Sequence, residues 1–136
     1  MATAVDTSVL LDVLLADPQH ATRSEAALRR TSSEGGLVVC EMVVAEIIPV
    51  LAAASVHEFL ADWHLVFLPS SVESAALAGR IFHRYLERGG KRGRVVPDFL
   101  IAAHAQLRAD GLIARDRGYY RDYFQDLKLF DPSCSE

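Results

Sequence analysis

The 136-residue sequence predicts one α/β domain in which βαβ units surround a parallel sheet. Short β-prone runs alternate along the chain with longer segments of helical period, which is the pattern that βαβ units produce. The composition is that of an ordinary globular protein, with 51% hydrophobic and 24% charged residues. The length fits a single domain over residues 1–136.

The first strand and the helices after it come from the N-terminal quarter of the chain. Thr3–Val5 is a short β-prone run, and Ser8–Ala16 has apolar residues at helical spacing. Pro18 then precedes a second, more polar helix, which the segment Glu34-Gly35-Gly36 ends. This stretch therefore predicts a strand followed by two helices.

The second and third strands enclose the most apolar part of the sequence. Leu37–Val39 predicts a buried strand, and Met42–Ala54 and Val56–Ala61 predict helices. Pro49 marks a kink or a restart because proline cannot donate a helical hydrogen bond. His64–Leu68 predicts the third strand.

The C-terminal half repeats the alternation of helix and strand. Ser71–Arg88 is a long amphipathic helix, and Pro97 opens another helix that runs to about Asp110. Gly111 caps this helix and Leu112–Ala114 predicts the fourth strand. Leu127–Phe130 predicts a fifth strand at the edge of the sheet.

Charge and cysteine content exclude several classes of protein. The net charge of −4 argues against a protein that coats DNA, so that any nucleic acid needs a local basic patch. The two cysteines, Cys40 and Cys134, exclude a disulfide scaffold and a zinc finger and predict reduced thiols in the cytoplasm. No export signal begins the sequence, and the apolar stretch Val43–Val56 is too short to span a bilayer.

Four acidic residues are predicted to meet at one edge of the sheet. Asp6 follows the first strand, Glu46 lies in the helical segment after the second, Asp98 starts a helix and Asp116 follows the fourth strand. Ligands of open parallel sheets bind beyond the carboxyl ends of the strands. Because four carboxylates without a counter-ion repel one another, such a cluster favours a hard divalent cation, Mg²⁺ or Mn²⁺.

Each acid also has a purely structural interpretation. Asp6 and Asp98 suit helix N-caps, and Asp116 suits a turn. Glu46 is hardest to explain in this way because an unpaired carboxylate among apolar residues is costly, although a buried ion pair remains an alternative. Asp12, off the helical face of Asp6, is expected to face solvent or to pair with a basic residue.

Four segments resemble the motifs of a known family, the PIN domain, and within it the VapC-type ribonuclease toxins. In chain order they are Val5-Asp6-Thr7-Ser8-Val9-Leu10-Leu11-Asp12, Val43-Val44-Ala45-Glu46-Ile47, Pro97-Asp98-Phe99-Leu100-Ile101-Ala102-Ala103-His104-Ala105 and Ala114-Arg115-Asp116-Arg117-Gly118-Tyr119-Tyr120. The resemblance spans essentially the whole chain. It departs at Ala114 and Cys40, where the family usually has hydroxyl residues, and neither change removes a carboxylate.

The resemblance implies a three-layer α/β/α PIN fold with a mainly parallel sheet of about four or five strands. It also implies a metal-dependent endoribonuclease toxin that forms homodimers and is neutralised by a cognate antitoxin. In that function Mg²⁺ or Mn²⁺ would be held by Asp6, Asp98 and Asp116, with Glu46 as a ligand or as a holder of water.

An RNA substrate would need a basic track, and the segment from Arg80 to Arg94 supplies one. Its basic residues are Arg80, Arg84, Arg88, Lys91, Arg92 and Arg94. The alternative is a solvated helix face with an Arg84–Glu87 contact. Tyr119, Tyr120 and Tyr123 are candidates for base stacking, with core packing expected for at least one of them.

Two other classes of function stay open from the sequence. A phosphoryl-accepting signalling domain or a small phosphatase also places Asp at strand ends, but it usually needs a lysine, and the only lysines are Lys91 and Lys128. A catalytically silent module that binds RNA or protein would not require four acids. The apolar helical region predicts a groove or dimer face; its residues include Ile47, Ile48, Val50, Leu51 and Phe59.

Overall fold

The structure, a computed structural model, describes residues 2–51, 55–91, 95–115 and 118–133. These ranges contain five strands and seven helices. The strands are β1 (Thr3–Val5), β2 (Leu37–Val39), β3 (Leu65–Phe67), β4 (Leu112–Ile113) and β5 (Leu129–Phe130). The helices are α1 (Thr7–Leu14), α2 (Ala21–Glu34), α3 (Glu41–Leu51), α4 (Val56–Asp62), α5 (Val72–Glu87), α6 (Val95–Arg108) and α7 (Tyr119–Tyr123).

The strands form one sheet in the order β3-β2-β1-β4-β5, and every neighbouring pair is parallel. The predicted α/β/α class with a parallel sheet is therefore confirmed. The strand order reverses between β1 and β4, so the carboxyl ends of these two strands flank the switch point where such sheets bind ligands. Val5 is in register with Ile113, and Asp6 N donates to Ile113 O at 2.9 Å.

Predicted and observed elements differ mainly at their ends. β3 starts at Leu65 because His64 adopts the left-handed backbone region, with φ of 55°, which no strand residue does. α6 starts at Val95, two residues before the predicted Pro97. A proline fits there because the N–H groups of the first turn have no partner within the helix. Pro49 lies inside α3, which continues to Leu51.

The core lies between the sheet and the helices that cover it. The largest side chains with almost no exposed surface include Leu10, Leu28, Ile47, Phe99 and Ile101. Phe99 also makes ring contacts with Tyr85, Tyr119, Tyr123 and Phe124, which join α5, α6 and α7. Burial of one such side chain contributes about 1.5–3 kcal/mol. This aromatic cluster holds α7 against α6, next to the segment that follows β4.

No single helix in the described ranges is both long and apolar enough to cross a membrane.

Candidate active site

Asp6 lies at the carboxyl end of β1, at the switch point of the sheet, and only 5% of it is exposed. Its Oδ2 accepts a hydrogen bond from Ser8 N at 3.1 Å and another from Ser8 Oγ, which makes Asp6 the N-cap of α1. Its Oδ1 accepts a hydrogen bond from the Tyr120 hydroxyl at 2.8 Å. The capping interpretation is thus confirmed, and the carboxylate is held in one orientation from both sides.

Glu46 lies on α3 and reaches toward the same edge. Its Oε1 accepts a hydrogen bond from Thr7 Oγ1 at 2.6 Å, which links α3 to the residue that follows Asp6. The expectation that apolar surroundings bury Glu46 is wrong, because its side chain is exposed. The buried stripe of α3 is narrow, with Val43 and Ile47 one turn apart, and Glu46 lies outside it.

Asp98 is half-buried in the first turn of α6. This helix packs against α3, β1 and β4. Its C-terminal end lies at the amino edge of the sheet, where Asp110 N donates to Ala2 O at 2.9 Å. A helix of 14 residues is about 20 Å long, so the first turn, with Asp98, lies toward the carboxyl edge. The fold thus directs Asp98 to the edge that carries Asp6.

Asp116, the fourth predicted acid, lies outside the described residues. Described residues on either side of it in the chain make hydrogen bonds to the start of α1. Arg115 N donates to Ser8 Oγ at 3.3 Å, and the Tyr120 hydroxyl donates to Asp6. Arg115 and Tyr120, which precede and follow Asp116 in the chain, are therefore both bonded to residues at the beginning of α1.

A buried ion pair supports this attachment. Arg115 donates from Nε and Nη2 to the two carboxylate oxygens of Asp12, each at 2.9 Å, and Ser24 Oγ donates to Asp12 Oδ2 at 2.8 Å. The Asp12 side chain is 2% exposed and that of Arg115 is 27% exposed. Of the two expectations for Asp12, pairing with a basic residue is confirmed and exposure to solvent is wrong.

The donor set suits a hard divalent cation. A carboxylate offers about four acceptor sites. Among the described residues, the two bonds from Ser8 and the one from Tyr120 occupy three sites of Asp6 and leave one. Oε2 of Glu46 has no hydrogen bond to the same residues. Within residues 2–51, 55–91, 95–115 and 118–133, no three His, Cys, Asp or Glu residues form a metal-sized group. Mg²⁺ is usually held by one or two carboxylates together with water and substrate phosphates, so a partial set fits it.

The predicted basic track is exposed as far as the structure describes it. The exposed members are Arg80, Arg84, Arg88 and Lys91, while Arg92 and Arg94 lie outside the described residues. Arg88 places its guanidinium 5.3 Å from the centroid of the Tyr123 ring. The alternative Arg84–Glu87 contact is not among the described ion pairs; Glu87 instead faces His83 at 3.6 Å.

Two of these arginines also line a cavity of about 210 Å³ between α5 and α7. Arg84 and Arg88 share this cavity with Asp122 and Asp126, whose negative charge offsets part of theirs. Arg80 and Lys91 do not line it. Arg80 and Lys91 therefore carry the positive charge of the track that these carboxylates do not offset, and they are its better candidates for binding phosphate.

The three tyrosines that were candidates for base stacking differ in position. Tyr120 is 4% exposed and cannot stack a base, which confirms core packing for one of the three. Tyr119 and Tyr123 are half-buried and pack edge to face against Tyr85. Any stacking surface is therefore limited to the accessible parts of these two rings.

Three titratable groups near the carboxyl ends of β2 and β3 have shifted pKa values: His104, Glu41 and Cys40. His104 is 1% exposed, its Nε2 lies 2.7 Å from Leu68 O, and its Nδ1 has no hydrogen-bond partner in the described ranges. Burial lowers the pKa of His104. Burial alone would raise the pKa of Glu41, but hydrogen bonds from Ser70 N and Oγ, each 3.0 Å, lower it overall. Cys40 is buried, and this burial raises the pKa of its thiol, which disfavours the reactive thiolate.

Sequence reasoning missed three groups at this edge. The Thr7 hydroxyl, the Arg115 guanidinium and the Tyr120 hydroxyl all contact acidic side chains. The first is adjacent to Asp6 in the chain, so a search for hydroxyl residues beside the acids would find it. The other two bond to residues more than 100 positions away, and no local pattern marks such pairs.

Several solved structures have the same fold. The DNA-bound VapBC of Salmonella typhimurium aligns with a TM-score of 0.72 at 17% identity, covering 97% of this chain and 99% of that one. VapBC-1 of nontypeable Haemophilus influenzae gives 0.72 at 19%, covering 98% and 100%. VapBC-5 of Mycobacterium tuberculosis, from the VapBC family of toxin-antitoxin systems, gives 0.56 at 23%, covering 96% of each chain. At these identities the likeness establishes the fold.

The comparison with curated proteins gives no match. The family model of the PIN domain matches residues 3–124, which include all four predicted acids and every described strand but the last. On this match, the chain belongs to the PIN-domain family.

Proposed function

We propose that this protein is a divalent-metal-dependent endoribonuclease of the VapC type, a toxin that hydrolyses RNA phosphodiester bonds. The observation that carries the proposal is the Asp6 carboxylate, held in one orientation at the switch point of a parallel sheet. Glu46 is linked to the same edge through Thr7. A buried, oriented carboxylate at the switch point of a parallel sheet is a candidate for holding a cation or taking part in a reaction.

A bound Mg²⁺ or Mn²⁺ would supply an activated water and neutralise charge on the scissile phosphate. Asp6, Glu46, Asp98 and Asp116 are the residues that would hold it. Asp6 would offer its remaining acceptor site, and Glu46 its Oε2. Asp98 lies in the first turn of α6, where the helix dipole favours the ionised carboxylate. The RNA backbone would follow Arg80, Arg84, Arg88, Lys91, Arg92 and Arg94 toward this edge.

A cognate antitoxin and a second copy of the chain are the proposed protein partners, and the cytoplasm is the proposed location. Exposed apolar residues at the end of α1 and on α3 support a partner surface: Leu15, which follows α1, is 62% exposed and Ile48 is 48% exposed. The face expected from the sequence is smaller than predicted, because Ile47, Leu51 and Phe59 are buried within the chain itself. A partner would therefore contact Ile48 and the neighbouring part of α1.

The position of a lysine weakens the phosphoryl-acceptor alternative. Lys128 O accepts a hydrogen bond from Leu112 N, the first residue of β4, which places Lys128 at the amino edge of the sheet, opposite Asp6. Its ammonium lies 6.0 Å from the centroid of the Phe130 ring. A lysine at the opposite edge cannot assist phosphoryl transfer to Asp6.

The test is cleavage of labelled RNA in Mg²⁺ or Mn²⁺ by the wild type, Asp6→Asn, Asp98→Asn and the control Asp62→Asn. Asp62 is exposed at the end of α4, three residues before β3 begins, and so lies toward the amino edge of the sheet, opposite Asp6; it receives the same change. We expect at least a 100-fold loss of rate in the two site variants and none in the control, because loss of preorganised charge at a site costs roughly that factor. Undiminished cleavage by Asp98→Asn would overturn the proposal.

The partner is tested by purifying the chain alone and together with the product of the neighbouring reading frame. We expect a dimer without the neighbour, and a larger and inactive complex with it. A strictly monomeric chain whose nuclease activity ignores the neighbour would remove the toxin–antitoxin part and leave the nuclease.

A further inference from the structure

The hydroxyl group of Tyr120 has a role that ring packing does not explain. The ring lies in the core, with 4% of the residue exposed, and phenylalanine would fill the same space. The hydroxyl instead donates to Asp6 Oδ1 at 2.8 Å, across 114 positions of sequence. A buried hydroxyl needs a hydrogen-bond partner, and here that partner is the acid at the switch point.

The two oxygens of Asp6 are held by different parts of the molecule. Within the part of the chain that the structure describes, Oδ2 accepts only local hydrogen bonds, both from Ser8, and these fix the position of the carboxyl group at the start of α1. Oδ1 has Tyr120 as its only hydrogen-bond donor in the described ranges. The Tyr120 bond therefore sets the rotation of the carboxylate plane and determines which lone pair of Oδ1 stays available.

The packing of α7 holds Tyr120 in place so that its hydroxyl can orient the Asp6 carboxylate. Its neighbours on α7, Tyr119 and Tyr123, both contact Phe99, the fully buried residue that follows Asp98 on α6. α7 is therefore anchored on the helix that carries the third acid. A donor on a rigid element can hold a metal ligand in one orientation, whereas a donor on a mobile loop cannot.

We infer that the Tyr120 hydroxyl is a positioning group that holds the Asp6 carboxylate in its cation-binding orientation and so sets the divalent-metal affinity of the site. The inference rests on the proposed function. Tyr120 does not touch RNA or the cation. It acts through Asp6, and its effect is expected on metal affinity first and on catalysis only as a consequence.

The experiment compares the wild type with Tyr120→Phe and Tyr85→Phe. Both substitutions remove one phenolic oxygen. Tyr85 is a half-buried member of the aromatic cluster whose hydroxyl makes no hydrogen bond in the described part of the chain. Mn²⁺ affinity is measured by calorimetry and by the electron paramagnetic resonance of free Mn²⁺, and folding is checked by circular dichroism and thermal unfolding.

We expect Tyr120→Phe to weaken Mn²⁺ binding about 10–100-fold, the usual effect of removing an outer-shell partner of a metal ligand. Tyr85→Phe should bind as the wild type does. At saturating Mn²⁺ the cleavage rate of Tyr120→Phe should recover to within a few-fold of the wild-type rate. Mn²⁺ should also perturb the ultraviolet tyrosine spectrum of the wild type and of Tyr85→Phe, but not that of Tyr120→Phe.

The possible failures are distinct. If the wild type binds Mn²⁺ and cleaves RNA, but a folded Tyr120→Phe binds Mn²⁺ as tightly as Tyr85→Phe, the positioning role is wrong and the proposed function stands. If the wild type neither binds Mn²⁺ nor cleaves RNA, the proposed function and this inference both fall. Should Tyr120→Phe not fold, the tyrosine spectrum decides: a Mn²⁺-induced change in the wild type that Asp6→Asn loses upholds the inference, and a wild type that binds Mn²⁺ without such a change refutes it.

Discussion

Replacing Arg115 with methionine leaves the carboxylate of Asp12 buried without its partner. The guanidinium now provides two hydrogen bonds of 2.9 Å to Asp12, whose side chain is 2% exposed. After the change only Ser24 Oγ, at 2.8 Å, still donates to it among the described residues. Removing one partner of a buried ion pair costs about 3–5 kcal/mol. For a chain of 136 residues this lowers Tm by roughly 10–17 °C.

A surface ion pair of the same length is the control. Arg29 Nε lies 2.9 Å from Glu25, but these side chains are 68% and 45% exposed. Arg29→Met should therefore cost only about 0.2–1 kcal/mol, to which the loss of its contact with the Trp63 ring can add a similar amount. Urea unfolding followed by circular dichroism gives the free energy of unfolding of each variant.

A second substitution tests whether the buried charge of Asp12 causes the loss of stability. Asp12→Asn in the Arg115→Met background removes the buried charge, so the double variant should be more stable than Arg115→Met alone. If Arg115→Met costs no more than Arg29→Met, or if the double variant is less stable than the single one, the reasoning is refuted.

Three further predictions concern other parts of the fold. Burial lowers the pKa of His104 in the folded chain, so below about pH 6.5 the unfolded chain binds a proton that the folded chain does not. The free energy of unfolding should therefore fall as the pH drops below that value. Urea unfolding of His104→Gln at a series of pH values should show a flatter pH dependence. Three basic residues of the track are replaced together by alanine: Arg80, Arg84 and Lys91. Affinity for single-stranded RNA should fall for all sequences and the salt slope by about 2, whereas an unchanged slope would mean a merely solvated face. Gly111→Ala should destabilise the domain by about 1–3 kcal/mol in urea unfolding, because its Cβ would lie 2.6 Å from Lys128 O; a neutral result would contradict the close approach.

Local sequence patterns determined the elements and the edge of the sheet at which Asp6 lies. Alternating β-prone and helical runs predicted all five strands of the described sheet, and the three in which the ends differ from prediction, β3, β4 and β5, do so by one or two residues at an end. Asp6 was placed correctly because it directly follows β1, and its role as a cap follows from the residue two positions later. Such features depend on neighbours in the chain, which a single sequence displays.

Tertiary structure alone decided which side chains meet. Glu46 is exposed because the buried stripe of α3 passes beside it, and Asp12 is buried because Arg115 and Ser24 converge on it. Tyr120, predicted from the sequence as a candidate for base stacking, instead donates a hydrogen bond to Asp6. Contacts across 103 and 114 positions arise only when β4 and α7 pack beside the start of the chain. Helical periodicity determines the direction in which a side chain leaves its helix. The packing of the whole domain determines which residue it meets in that direction.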